Sequence, residues 1–239
     1  MTALYLSEPV RKGLGPCLRP GGAFLTHRIL ALVEPARQWR IVDAGCGTGA
    51  SLAIMAGYGL TKVFGIDRDR GLLAEAGSSG QRVVRADLAR LPLAAHSLDM
   101  ILCECAWNLT DKARSLAEFA RVLQPGGMLA VTDIYLRAGQ QGERGNLPVH
   151  SCFAQATSLH TVRQQLRAAG FIISRVEDHT PLLTHTAAEF IFAHGSLMHF
   201  WQAVTGDAAS GAAACDMLHS LRPGLFLLLA SRATVTRRP

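Results

Sequence analysis

The residues best suited to chemistry are glycines and aspartates in the first third of the chain. Residues 43–49 read DAGCGTG, and such glycines let the backbone turn sharply and let a ligand approach the peptide groups closely. Asp67 follows 22 residues after Gly45, and Asp87 follows it. At such positions one carboxylate can accept hydrogen bonds from both hydroxyls of a ribose, and the next can accept one from an exocyclic amine such as that of adenine. Each aspartate alone could simply cap a helix, so the ordered set is the informative feature.

The elements that must position these residues alternate between strand and helix patterns. Short apolar runs predict strands at residues 39–43, 62–66, 82–86, 98–103 and 128–132. Helical patterns occupy residues 51–58, 70–76 and 112–123, and the last of these stops at the Pro-Gly-Gly of residues 125–127. This alternation favours an α/β fold with a parallel, doubly wound sheet and right-handed crossovers.

The second half of the chain has a different character. A loop is expected at residues 137–148, a helix at 159–169, a strand at 171–176, a long helix at 183–204, a small-residue linker at 206–214 and a last strand at 225–230. We interpret residues 1–239 as one domain with a ligand-binding core at about 38–135. Residues 1–37, 137–158 and 180–222 are the expected cover segments, because ligands of such sheets bind beyond the carboxyl ends of the strands.

The ordered motifs VDAGCGTG, GIDRD, ADL, LDMILCE and LQPGG resemble those of class I S-adenosylmethionine-dependent methyltransferases. Within that class the chain is most similar to the type 11 group, which includes quinone-biosynthesis and other small-molecule methyltransferases. The resemblance covers residues 40–133. It implies S-adenosyl-L-methionine as cofactor and a Rossmann-like, seven-stranded, mostly parallel sheet whose last strand is antiparallel, with helical cover segments.

The resemblance also implies which residues contact the cofactor. It assigns the glycines to the methionine portion, Asp67 to the ribose hydroxyls and Asp87 to the adenine amine. It places Arg68 beside the adenine and the end of the fourth strand, at Cys103, beside the sulfonium. The expected cofactor-binding residues are Asp43, Gly45, Cys46, Gly47, Asp67, Arg68, Asp87, Leu88 and Cys103.

The expected methyl acceptor is a small, partly apolar molecule enclosed by the N-terminal segment and residues 183–204. Phe192, Met198, Phe200 and Trp201 offer apolar surface there, and nearby histidines could orient a polar atom. The alternative is that this helix only packs on the sheet and leaves an open site for a macromolecule. Candidate substrate residues are Arg19, Glu104, Cys105, Trp107, His194 and Trp201. No catalytic residue is named, because positioning an acceptor against an activated sulfonium requires little acid–base chemistry.

Other functions receive less support from the sequence. The third glycine of the turn arrives one residue too early for a dinucleotide fingerprint, and the GTGAS run lacks the lysine of a P-loop. The net charge of +6 would suit a protein that binds nucleic acid. The basic residues are scattered, however, and aromatic residues make up only 6% of the chain. RNA or protein methylation, aminopropyl transfer, and a cofactor-binding protein without catalysis stay open as alternatives.

The cysteines and the apolar runs bear on metals and location. Cys46, Cys103 and Cys105 could gather into a thiol site for a soft metalloid, but without metal-ligand spacing we interpret them as buried hydrophobes and expect no metal. No apolar run reaches the roughly 18 residues of a membrane span, and the N-terminus lacks the pattern of a signal peptide. We therefore expect a cytoplasmic protein, with no indication of its oligomeric state.

Overall fold

The computed structural model describes residues 3–137 and 150–234. Most of the loop expected at residues 137–148, and the basic pair at residues 237–238, lie outside the described residues.

The architecture is a seven-stranded sheet in the order β3-β2-β1-β4-β5-β7-β6. Strands β1 to β5 run parallel, and β7 is antiparallel to both β5 and β6. The expectation of a doubly wound, mostly parallel sheet with an antiparallel last strand is confirmed. The strands are β1 (Ile41–Ala44), β2 (Val63–Asp67), β3 (Val83–Arg85), β4 (Leu98–Glu104), β5 (Leu123–Leu136), β6 (Phe171–Asp178) and β7 (Pro223–Arg232).

The helices lie on both faces of this sheet, which explains why its central strands carry apolar residues on both sides. Successive side chains of a strand point to opposite faces, so Ile41 packs in one core cluster and Val42 in another. The helices are α1 (Glu8–Leu14), α2 (Phe24–Val33), α3 (Ala50–Gly57), α4 (Arg70–Ser78), α5 (Lys112–Val122), α6 (Leu159–Ala168), α7 (Thr180–His194), α8 (Leu197–Thr205) and α9 (Ala208–Leu221).

The structure corrects two expectations in the region between β6 and β7. The long helix at residues 183–204 is in fact two helices, because Gly195 ends α7 with a φ of +82° and the Ser196 side chain caps α8. The linker at residues 206–214 is instead the start of α9, which Asp207 caps by accepting from the Ser210 amide at 2.8 Å. Its alanines favour a helix.

A third core cluster joins α1 to α7, α8 and α9. It contains Val10, Phe190, Phe200, Trp201 and Ala214, and the rings of Phe190 and Phe200 stack with centroids 4.1 Å apart. The N-terminal segment and the helices between β6 and β7 therefore pack together as one cover.

Candidate functional site

The turn between β1 and α3 provides the first wall of the site. Gly45, Gly47 and Gly49 all have positive φ, at +84°, +52° and +82°, where a side chain would be strained. A Cβ on Gly45 would also collide with the Ala106 side chain. The Gly47 amide donates to Asp67 Oδ2 at 2.9 Å, so the end of β2 fixes the shape of the turn.

A cavity of about 250 Å³ lies beside this turn, at the carboxyl ends of the parallel strands. We call it the polar cavity. Seven of the nine predicted cofactor-binding residues line it. The structure thereby brings together the turn after β1, the end of β2 and the loop after β3. The seven residues are Gly45, Cys46, Gly47, Asp67, Arg68, Asp87 and Leu88.

The other two predicted residues do not reach the wall of the polar cavity. Cys103 is fully buried in a core cluster, because alternation along β4 turns its side chain away from the cavity and turns that of Glu104 into it. Asp43 is 2% exposed beneath the turn. Burial, followed by the nearby Glu104 carboxylate, raises the pKa of Asp43 to about 8. The role that the resemblance implies for Asp43, to steady the glycine turn or to meet the cofactor's amino group through water, stays a prediction.

A buried ion pair forms another wall of the polar cavity. Arg19 Nη2 lies 3.1 Å from Glu104 Oε2 and donates to the hydroxyls of Thr26 and Ser51, which in turn donate to the same carboxylate oxygen. Arg19 and Glu104 are only 7% and 6% exposed. Within the described part of the chain, Arg19 Nε and Glu104 Oε1 have no hydrogen-bond partner. Buried polar atoms are normally paired, so these two atoms indicate where a ligand with complementary groups would bind.

A second cavity, of about 540 Å³, adjoins the first, and we call it the apolar cavity. Its walls come from residues 4–20, from residues 151–153 and from the helices between β6 and β7, and they include Phe190, Phe200 and Trp201. Four residues line both cavities: Tyr5, Leu18, Cys105 and Leu109. The two cavities therefore meet at the end of β4.

The structure places the six predicted substrate residues in different surroundings. Arg19 and Glu104 line the polar cavity, Trp201 lines the apolar cavity, and Cys105 lines both. Trp107 does not have the place expected for it: it is fully buried in the core, and its indole N–H donates to the Lys112 carbonyl at 3.4 Å.

The structure also differs from the expectations for His194 and Phe192. His194 packs edge-on against Phe200, with centroids 5.5 Å apart, and does not line either cavity. Phe192, which was expected to supply apolar surface, is 95% exposed, and Met198 is 46% exposed. Phe200 and Trp201 do line the apolar cavity, and further apolar surface comes from residues that the sequence did not single out, such as Val10 and Phe190.

The loop that follows β4 is held in place by a buried carboxylate. Asp133 on β5 accepts from the backbone amide of Asn108 at 2.8 Å, from its side-chain amide at 2.9 Å and from the Ile134 amide at 2.8 Å. Burial raises the pKa of Asp133 to about 7, although these donors oppose the shift. Cys105 begins this loop with a φ of +52°, which is unusual for a residue with a side chain.

Two further features concern metals and membranes. Among residues 3–137 and 150–234, no group of three or more His, Cys, Asp or Glu side chains is arranged to hold a metal ion. In the same residues no helix has the length and apolarity to cross a membrane.

Comparison with known proteins identifies a methyltransferase domain within the chain. Residues 42–131 match a family model described as a methyltransferase domain. A relative named uncharacterized methyltransferase YodH, from Bacillus subtilis, is 34% identical over 116 residues, which are 46% of this chain and 49% of the relative. The malonyl-[acyl-carrier protein] O-methyltransferase of Methylovorus sp. is 32% identical over 162 residues, which are 59% of this chain and 53% of the relative. The chain thus spans about half the length of these relatives, and the part of it that matches the methyltransferase domain is residues 42–131.

Solved structures share the fold over almost the whole chain. The [4+2]-cyclase SpnF superposes with a TM-score of 0.74 at 23% identity, covering 98% of this chain and 97% of that one. Phosphoethanolamine N-methyltransferase 2 of Haemonchus contortus, solved with S-adenosyl-L-methionine, has a TM-score of 0.76 at 19% identity, covering 95% of this chain and 56% of that one. At these identities the likeness describes the fold alone.

Proposed function

We propose that the protein transfers a methyl group from S-adenosyl-L-methionine to a small, partly apolar acceptor. The observation that carries this proposal is the meeting of the two cavities at Tyr5, Leu18, Cys105 and Leu109. A polar cavity with nucleoside-binding groups opens there onto a larger cavity with apolar walls, as a reaction between a nucleoside-bearing cofactor and an apolar substrate requires.

The polar cavity suits each portion of the cofactor. Asp67 and Asp87 can accept from the ribose hydroxyls and the adenine amine. The unpaired Nε of Arg19 can donate to the α-carboxylate of the methionine portion, and the unpaired Oε1 of Glu104 can accept from its α-ammonium group. When bound, the cofactor supplies a methyl carbon on a positively charged sulfur.

The residues at the junction orient the acceptor and exclude water. Positioning a nucleophile in line with the methyl carbon can supply several kcal/mol of the barrier, about 7 or more in the best-oriented cases. Burial raises the pKa of the Cys105 thiol well above its usual value, with the Asp133 carboxylate contributing. The thiol therefore stays protonated at the junction and does not compete with the acceptor as a nucleophile.

The relatives and the cover support a small acceptor over RNA or protein. The chain matches proteins named O-methyltransferases in Penicillium expansum and Methylovorus sp., among others. The helices between β6 and β7 pack with α1 over the apolar cavity, and such an enclosure suits a small molecule better than a polymer.

A second candidate is a protein that binds the cofactor and reshapes an apolar substrate without methylating it. It is favoured by the scarcity of acid–base groups among the buried residues that line the apolar cavity, and the fold itself is one that a [4+2]-cyclase shares. Such a cavity would accelerate a ring closure by holding the reacting carbons together.

The test is calorimetry with S-adenosylhomocysteine, followed by incubation with methyl-labelled S-adenosylmethionine and a panel of phenols, quinols, carboxylic acids, amines and thiols. We expect binding of S-adenosylhomocysteine and transfer of label to at least one apolar acceptor. The absence of S-adenosylhomocysteine binding would contradict the proposal. Conversion of a substrate to a product of equal mass, with the cofactor bound and unchanged, would establish the second candidate.

A further inference from the structure

We propose that the apolar cavity takes an uncharged acceptor with an apolar body, and that the Ser151 hydroxyl binds its polar head group. This inference rests on the proposed function, since it names the chemical class of the acceptor and the residue that positions it.

The size and the walls of the apolar cavity suit a whole hydrocarbon body. Its volume of about 540 Å³ lies within the roughly 300–1,000 Å³ range of ligand sites. Val10, Leu14, Phe190, Phe200 and Trp201 contribute apolar surface from three helices. Burial of such surface favours ligands in proportion to their apolar area.

The charges around the apolar cavity disfavour an anionic acceptor. Among the described residues, those lining this cavity include no lysine and no arginine. The lining residue with a carboxylate is Asp216, which lies exposed on α9 with His219 one turn further along. A bound carboxylate or phosphate would lose its hydration without a guanidinium or ammonium partner, and Asp216 would repel it.

Ser151 provides a specific contact for a neutral head group. Ser151 is a lining residue of the cavity and is 1% exposed, and its buried Oγ has no hydrogen-bond partner among the described residues. The hydroxyl of Thr186, a lining residue on α7, already donates to the Leu182 carbonyl at 3.1 Å. A buried hydroxyl without a partner is costly, so a ligand that bonds to Ser151 gains that interaction in full.

The backbone holds Ser151 against the N-terminal segment of the chain. The preceding residue, His150, pairs with Ala3, and its carbonyl accepts from the Leu4 amide at 2.8 Å. Ser151 therefore lies beside the turn that carries Tyr5, a residue common to both cavities. A head group bound to Ser151 would present its reacting atom toward the junction.

The experiment uses the full chain saturated with S-adenosylhomocysteine and three matched probes: 4-butylphenol, 4-butylbenzoate and butylbenzene. Calorimetry should show that the phenol binds, that the benzoate binds at least about tenfold more weakly, and that butylbenzene binds with an affinity below that of the phenol. The variant Ser151→Ala should weaken the phenol about fivefold, as expected for one neutral hydrogen bond, and leave butylbenzene unchanged. Thr186→Val is the matched control, because it removes a hydroxyl that is already paired within the protein.

Three results would overturn the inference: equal binding of benzoate and phenol, unchanged phenol affinity in Ser151→Ala, or no binding of any probe. Should Ser151→Ala fail to fold, the affinity ratio of phenol to butylbenzene in the natural protein decides, and a ratio of one refutes the role of a hydrogen bond. The affinity for S-adenosylhomocysteine, measured in the same samples, separates these outcomes from failure of the proposed function. Loss of cofactor binding contradicts the methyltransferase itself, whereas normal cofactor binding with the wrong probe selectivity contradicts only the acceptor class.

Discussion

Replacement of Asp67 by alanine tests the cofactor assignment most directly. Asp67 Oδ2 accepts from the Gly47 amide and Oδ1 from the Asp69 amide, both at 2.9 Å, and the side chain lines the polar cavity. Each carboxylate oxygen retains a second lone pair for a ribose hydroxyl. Hydrogen bonds to a charged group contribute about 1.5–3 kcal/mol, so the affinity for S-adenosylhomocysteine should fall roughly 10- to 150-fold.

The matched control is Asp69→Ala, two residues further along. Asp69 caps α4 by accepting from the Gly71 and Leu72 amides at 2.8 and 3.0 Å, but it does not line the polar cavity. Its loss should cost about 1 kcal/mol of stability and leave the calorimetric affinity unchanged. A second control is S-adenosylhomocysteine without the 2′-hydroxyl, for which the penalty of Asp67→Ala should shrink. If the penalty is the same with both ligands, Asp67 acts by shaping the glycine turn and the ribose assignment is refuted.

Three other predictions concern stability. Arg19→Ala should lower the free energy of unfolding by about 3–5 kcal/mol in urea titrations, because it leaves Glu104 buried without a counter-charge. The double variant Arg19→Met/Glu104→Gln, which removes both charges, should recover most of that loss. Burial raises the pKa of Asp43 to about 8 and of Asp133 to about 7, so the folded state keeps protons that the unfolded chain releases. The stabilisation from these bound protons is fully present below about pH 4. As the pH rises, the free energy of unfolding falls by about 1.4 kcal/mol per pH unit for each carboxyl. Asp133→Asn should therefore flatten the dependence of the free energy of unfolding on pH, measured between pH 5 and 7. Trp201→Ala should cost about 3–5 kcal/mol of stability but leave S-adenosylhomocysteine affinity unchanged, since this ring lines only the apolar cavity, and a large loss of affinity would contradict the separation of the two cavities.

The residues that line the polar cavity could be predicted because their signals are local. Asp67 and Asp87 each follow an apolar run, and the carboxyl ends of parallel strands meet at one edge of the sheet. The position of Cys103 could have been corrected from the same pattern, since β4 alternates and only one of Cys103 and Glu104 can face the cavity.

The apolar cavity depends on packing between segments that are distant in the chain. Trp107 and Trp201 are both buried aromatic residues, yet one lies in the core and the other on a cavity wall, and no local pattern separates them. Phe190 and Phe192 could have been distinguished, because residues two apart in a helix point in different directions, and indeed one is 9% and the other 95% exposed. Ser151 carried no signal, because its importance comes from an unpaired oxygen that only the fold reveals.

The position of β7 has a consequence for how the protein folds. This strand follows all the others in the chain, yet it lies between β5 and β6, and its residues from Gly224 to Leu229 are buried. During synthesis, strands β1 to β5 can associate first, since their pairings involve shorter separations in sequence. Until β7 emerges, β5 presents an unpaired apolar edge, which is a template for association with other chains. We therefore expect the interval between synthesis of β5 and of β7 to be when nascent chains are most prone to aggregate and most dependent on chaperones.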